Sequence, residues 1–323
     1  MATGTISDAV IYNQQMVGGF YERLAQNIEA FNGASNGAIV LRTEFTKGDY
    51  DQKSFFKNFS ALSRRVDTST SSASATAITM DEDVAVKRKV KFLAEATRDM
   101  MRSQGLDYET AAVLAGNQMA DEFRQTIVNQ SVAAAVAALS GVSDWSLDVS
   151  GNGSNNRASV NNLNRVLAKM GDASNNVRMW AMSGAAFHAL IGDALATMAF
   201  NDSGVSIYQG GVPTLGRPVL VTDAPALTTD TSKYTILGLV DGAVDVNNSE
   251  APDAVVDDVT GNENIITRYQ GEAAYNLKVK GFKWDTNAGG RNPTDAAVAT
   301  STNWVKNVQS NKLLAGVRLV VQQ

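Results

Sequence analysis

Apolar residues near the start of the chain recur at helical spacing. Val10, Val17, Phe20, Leu24, Ile28 and Phe31 are three, four or seven positions apart and line one face of a helix predicted over residues 5–32. Gly18–Gly19 is expected to bend or break it, and Gly33 and Gly37 to end it. Its apolar face needs a partner, from the same subunit or from a neighbour. Ile39, Val40 and Leu41 then make a short strand, and Phe45 to Phe59 alternates aromatic and charged residues. Asp67 to Ala77 is almost wholly Ser, Thr and Ala, with no core-forming side chain. Strand-like runs flank it at Asn58–Val66 and Ile78–Val90. In the second, Val84, Val86 and Val90 share one parity, and Lys87, Lys89 and Lys91 the other. The pattern predicts a long hairpin. Such an element exposes two edges and little core, so it makes sense lying on a neighbour.

Tyr108 to Ser140 is the longest helical stretch, with Asp107 as its N-cap and Ala112, Ala115, Met119, Phe123 and Ile127 at helical spacing. It gives a rod of roughly 50 Å. Val132–Leu139 is apolar all round, which predicts burial on every side. Next come a helix over 160–170, a strand over 177–182, a helix over 184–199 capped by Ser183, and strands at 205–209, 219–222 and 234–240. Residues 223–263 hold nine acids and one base, Lys233, together with Asn247, Asn248 and Pro252. Part of this segment reads as an exposed acidic loop. From Ile265 onward the balance reverses to eight bases and three acids, with alternation over 274–282 and a buried final strand over 313–321. No repeat of fixed period is present.

Composition sharpens this picture. With 323 residues, 44% of them hydrophobic, the chain can bury two packed units. Charged residues are only 19%, against roughly 25% in an ordinary soluble domain. Small, weakly charged surfaces suit burial against copies of themselves. The net charge of −5 is wrong for a tight grip on nucleic acid, so DNA would be enclosed and not clasped. No cysteine is present, which excludes disulfides and thiolate chemistry. The first residues lack a signal-peptide pattern, and the longest apolar run has eight residues, Val132–Leu139, far short of a bilayer span. No membrane association is expected.

Catalytic constellations are sparse. The one histidine, His188, falls inside a predicted helix beside the cap Ser183, without a Gly-x-Ser-x-Gly elbow. Asp253, Asp257, Asp258 and Glu263 are the carboxylates available to a hard cation, but EF-hand spacing is missing. Gly210–Gly216 has the outer glycines of a phosphate loop, with Arg217–Pro218 where Lys and Ser/Thr belong. The strongest charge feature is Lys87–Arg88–Lys89–Lys91, followed by Arg98 and Arg102. It reads either as an inter-subunit contact with acids such as those near 253–263, or as a solvated hairpin edge protected by lysines.

The order of these elements resembles the Hong Kong 97 family of tailed-bacteriophage major capsid proteins. The residues that carry the resemblance are Leu62–Ser–Arg–Arg–Val66 with the Ser/Thr tip, Val84–Ala–Val–Lys87 and the long helix 107–140. Further along they are Arg178–Met–Trp–Ala–Met–Ser183 with its helix, Gly216–Arg–Pro–Val–Leu–Val–Thr–Asp223, Gly281–Phe–Lys–Trp284, Asn303–Trp304 and Gly316–Val–Arg–Leu–Val320. The resemblance implies an α+β, Hong Kong 97-like fold. Its parts would be an N-arm (1–40), an extended β-hairpin loop (41–95), and a spine helix with part of the peripheral domain (96–142). An axial domain (143–262) would follow, then peripheral-domain strands returning to the axial domain (263–323).

It also implies a structural protein and not an enzyme. Such a subunit self-assembles into the hexamers and pentamers of an icosahedral head in the host bacterial cytoplasm and encloses double-stranded DNA. Scaffolding, portal and possible decoration proteins would be partners, and no cofactor is expected. Contacts between subunits are expected at Phe20, Leu24, Arg64, Arg65, Lys87, Arg88, Lys89, Lys91, Asp257 and Asp258. Some relatives crosslink a loop Lys to a neighbour's Asn. Lys53 or Lys57 with Asn287 or Asn292 is conceivable, but nothing in the sequence selects them and no crosslink is expected. Two rival readings remain: an encapsulin-like, non-viral shell around an enzyme cargo, and a soluble α/β enzyme with a carboxylate metal site.

Overall fold

The computed structural model describes residues 6–57, 65–66, 68–69, 75, 77–105, 108–199 and 214–322. Helix α1 (Ile6–Ala34) leads into strands β1 (Ile39–Thr43), β2 (Tyr50–Phe56) and β3 (Met80–Thr97). The short α2 (Arg98–Ser103) and the 33-residue α3 (Tyr108–Ser140) follow, then β4 (Ser146–Asp148), α4 (Val160–Ala168), β5 (Val177–Met182) and α5 (Gly184–Ala199). The rest is mainly strand: β6 (Val219–Val221), β7 (Thr228–Asp230), β8 (Lys233–Val240), β9 (Val244–Val259), β10 (Ile266–Val279) and β11 (Phe282–Trp284). After a one-turn helix α6 (Asp295–Val298) come β12 (Trp304–Lys306) and β13 (Gly316–Gln322).

Two sheets organise the chain. One has the order β4-β13-β8-β5-β6, with β7 added to β8. The other has the order β1-β9-β10-β3-β2, and β11 and β12 form a small hairpin beside it. The span 143–262, expected as a single axial unit, is therefore divided. Strands β4 to β8 build the first sheet, while β9 pairs with β1 and β10 in the second. The acidic segment expected to be partly loop is in fact strand β9. Half-buried Ala254 and Val256 alternate with exposed Asp253, Val255 and Asp257, as in a strand with one face to water.

Helices α1 and α3 pack across the second sheet. Phe123 of α3 sits amid Phe20 of α1 (ring centroids 5.9 Å apart), Phe92 of β3 (6.0 Å) and Tyr275 of β10 (5.9 Å). Each such buried ring contributes about 1.5–3 kcal/mol. Close approach of the two helices depends on Gly116, where a Cβ would collide with the carbonyl oxygen of Met16. Gly18–Gly19 does not interrupt α1, which runs unbroken to Ala34. Packing on α3 offsets the helix-propensity cost of the pair. The apolar second half of α3 is buried, as its sequence predicts. In the first sheet Trp180 is wholly buried, donates from Nε1 to Thr214 O (3.1 Å), and lies on Gly238, whose hydrogen leaves room for the indole.

Candidate functional site

The feature with least support from its own chain is a two-stranded ribbon. Strand β3 is 18 residues long and changes partner along its length. From Thr97 back to Val86 it pairs with β10, and from Ala85 to Met80 it pairs only with β2. The ribbon thus overhangs the end of β10. The observed hairpin arms are 50–56 and 80–97; the expected arm 58–66 lies mostly outside the described residues. At the far end Phe56 faces Met80 in register, with Ile78 two residues away. These three side chains are 64%, 58% and 68% exposed. They face solvent and are not part of the core. The sequence signal was present, as apolar residues on both sides of a Ser/Thr tip with no partner at helical or strand spacing, and was missed.

The expected contact residues divide into groups. Phe20 and Leu24 are 5% exposed each and pack inside their own chain, so the partner their helix face needed is the same subunit. Arg64 lies outside the described residues, and Arg65 is exposed. Lys87, grouped by parity with solvated lysines, is instead 3% exposed. Its Nζ donates to Glu250 Oε1 and Thr46 O, both at 2.9 Å. The Lys87 ammonium in turn holds the Glu250 carboxyl below the ordinary carboxylate range. Arg88 pairs with Asp295. Lys89 and Lys91 are exposed, and the Lys89 backbone N–H donates to Asn292 Oδ1 (2.9 Å). Asp257 is exposed on β9. Asp258, on the opposite face, accepts from Arg98 (2.6 Å) and Thr267 Oγ1 (2.8 Å). Arg268 and Glu95, paired across β10 and β3, complete the pattern. Much of the basic cluster and its acidic complement is therefore joined within one chain.

The same strand geometry bears on other chemistry. Asp253 and Asp257 lie four residues apart on the exposed face of β9 and Asp258 lies on the other face, so they do not converge on one point. Among the described residues no group of three or more His, Asp or Glu side chains is placed to hold a metal. His188 is exposed on α5 against the edge of Phe187, and Ser183 Oγ caps that helix by accepting from the Ala186 N–H (3.3 Å). Among the described residues no helix is long and apolar enough to cross a membrane.

A cluster of charges lies on the ribbon beside Phe56, Ile78 and Met80. Asp81 of β3, with its side chain 13% exposed, accepts from Lys57 Nζ just beyond β2 and from Lys283 Nζ of β11, both at 2.8 Å. Burial pushes its carboxyl up, but hydrogen bonds from Lys283, Lys57 and the Glu82 N–H more than offset this and leave it at about 2. Two residues on, Asp83 pairs with Lys278 at the end of β10. Beneath the ribbon lies a cavity of about 300 Å³, lined by Phe55 and Asp83 above and by Arg42, Asp245, Lys278 and Asn307 below.

A family model described as Gp13-like, major capsid protein 13-like, matches residues 8–318. Several solved structures share the fold. A chain of the cyanophage Pam1 capsid asymmetric unit is 11% identical, with 86% of each chain covered and a TM-score of 0.52. An acid-stable capsid structure of Helicobacter pylori bacteriophage KHP30 is 10% identical, covering 90% of this chain and 89% of that one, TM-score 0.52. A chain of Mycobacterium phage Adephagia is 8% identical with the same coverage and TM-score. No curated protein matches the sequence.

Proposed function

The chain belongs to the Gp13-like family of major capsid proteins and has the Hong Kong 97 fold, and from that premise we propose how it builds a shell. A major capsid protein is a component of the virion that associates with copies of itself, so its working residues are contact residues. In our reading, copies close head-to-tail around symmetry axes as hexamers and pentamers of a phage head. Assembly takes place in the host bacterial cytoplasm on a separate scaffolding protein, with a portal at one vertex, and the finished shell encloses double-stranded DNA. The negative net charge supports enclosure without a clasp on the nucleic acid. The six-stranded sheet is proposed as the axial part, and α1, α3 and the five-stranded sheet as the peripheral part.

One observation carries this reading: the β2–β3 ribbon leaves the sheet and ends in the exposed trio Phe56, Ile78 and Met80. A neighbouring subunit is the surface proposed to cover that trio. The test is expression of the protein alone and with its neighbouring genes, followed by sedimentation and negative-stain imaging. Closed megadalton particles, or rings that close when a scaffold is added, are the expected result. A small species under every condition overturns the proposal. Particles that carry an enzyme cargo and never nuclease-protected DNA turn it toward an encapsulin-like shell.

A further inference from the structure

The ribbon's attachment to the body is unusual in kind. Between Met80 and Ala85, strand β3 has no β10 partner, so its inner edge lacks a backbone ladder. Val84 and Ala85 are still packed into the body, but the outer residues Met80 to Asp83 are joined to β10 and β11 by a pair of ionic contacts, Asp81–Lys283 and Asp83–Lys278. Asp81 also binds Lys57, so a single carboxylate ties both arms of the ribbon to the body. The cavity of about 300 Å³ below gives the ribbon room to swing. An apolar joint would have no hinge, because packed cores resist graded displacement. A backbone ladder would have none either. Ion pairs with well-ordered geometry hold a position firmly, yet release when one partner is neutralised or competed for.

We propose that Asp81 is a positioning residue, the centre of an ionic brace that fixes the angle at which the ribbon presents Phe56, Ile78 and Met80. When the brace is released, the outer ribbon pivots as a unit beyond Val84, the last residue of β3 on that side to pack in the core. This deepens the proposed function, because it names what sets the geometry of the contact surface. It can nevertheless be tested without any assembly.

The chain has no cysteine, so pairs of spin labels can be placed cleanly. Labels go at Ile78→Cys on the ribbon and Val305→Cys on β12, both exposed positions, in the unassembled full-length protein. The braced protein is expected to give one narrow distance distribution. Asp81→Asn is expected to widen or shift it at least about twofold in width, as a freed hinge does. Asp81→Glu, which keeps the charge, is expected to restore the narrow form. Lys283→Gln breaks the brace from the body side, should Asp81→Asn fold poorly, and is expected to act in the same direction. A control pair within the body, Leu93→Cys with Val305→Cys, is expected not to change. An unchanged ribbon distribution in both Asp81→Asn and Lys283→Gln overturns the brace. So does equal broadening of the control pair, which would mean general loosening. Neither result touches the capsid reading, which stands or falls on particle formation.

Discussion

The two sheets solve stability in different ways. Around β8 the six-stranded sheet is a core: Ile236, Leu237, Leu239 and Val240 are buried, and Trp180 lies against Gly238. In the five-stranded sheet, β3 is equally secure over Val84 to Lys87, while its first residues, Met80 to Asp83, carry charged pairs and an exposed apolar tip. The first region is finished within one chain. The second has an aromatic core around Phe123 but is held at its outer ribbon by ion pairs.

The largest separation between the regions is expected from Trp180→Ala. It removes a fully buried indole and should cost about 3–5 kcal/mol in chemical denaturation, with little soluble protein recovered. Next comes Glu250→Gln, which leaves the buried Lys87 ammonium without its carboxylate. A loss of about 2 kcal/mol is expected in the same assay, and a smaller one in Lys87→Met/Glu250→Gln. Acid titration is a third probe. The Asp81 carboxyl lies at about 2 in the folded chain against an ordinary 3.8, so the folded state binds that proton less readily. Its stabilisation is present above about pH 4 and is lost as pH falls toward 2. Wild type minus Asp81→Asn should therefore show a difference in melting temperature at pH 6 that vanishes near pH 2. The smallest effect on the subunit, and the sharpest on function, is expected from Phe56→Ser/Ile78→Ser/Met80→Ser. Folding stability should stay within about 0.5 kcal/mol of wild type, because the three side chains are exposed. Particle yield should collapse. Normal particles from this variant would erase the contrast drawn between the two sheets.

Much of the architecture was legible where one physical signal dominated. Helical spacing marks α3 over 108–140, as observed, and Ser183 caps α5 as its position predicts. The apolar runs at 177–182 and 234–240 are β5 and β8. Reading faltered where two signals competed. Strand β9 carries so many acids that it resembled a loop, because the bases that balance them, Lys87 and Arg98, lie 160 or more residues away. Lys87 itself follows the parity of solvated lysines, and only the packing of the stretch around Glu250 reveals its burial. Phe20 and Leu24 show the limit of an amphipathic pattern. It establishes that a face will be covered but not by whom, and here Phe123 of the same chain covers it. The ribbon's contact trio was hidden for the opposite reason, since unpartnered residues have no period.

Strand β13 sits between β8 and β4, in the interior of its sheet, and pairs with both. Its partners are translated long before it. A ribosome that has made residues 146–240 has therefore produced a sheet with an inner strand missing. The sheet cannot close until residue 322 has emerged, and the sequence separation makes that closure slow relative to local helix formation. A chain stopped short of β13 would leave β4 and the edge of β8 without the strand that joins them.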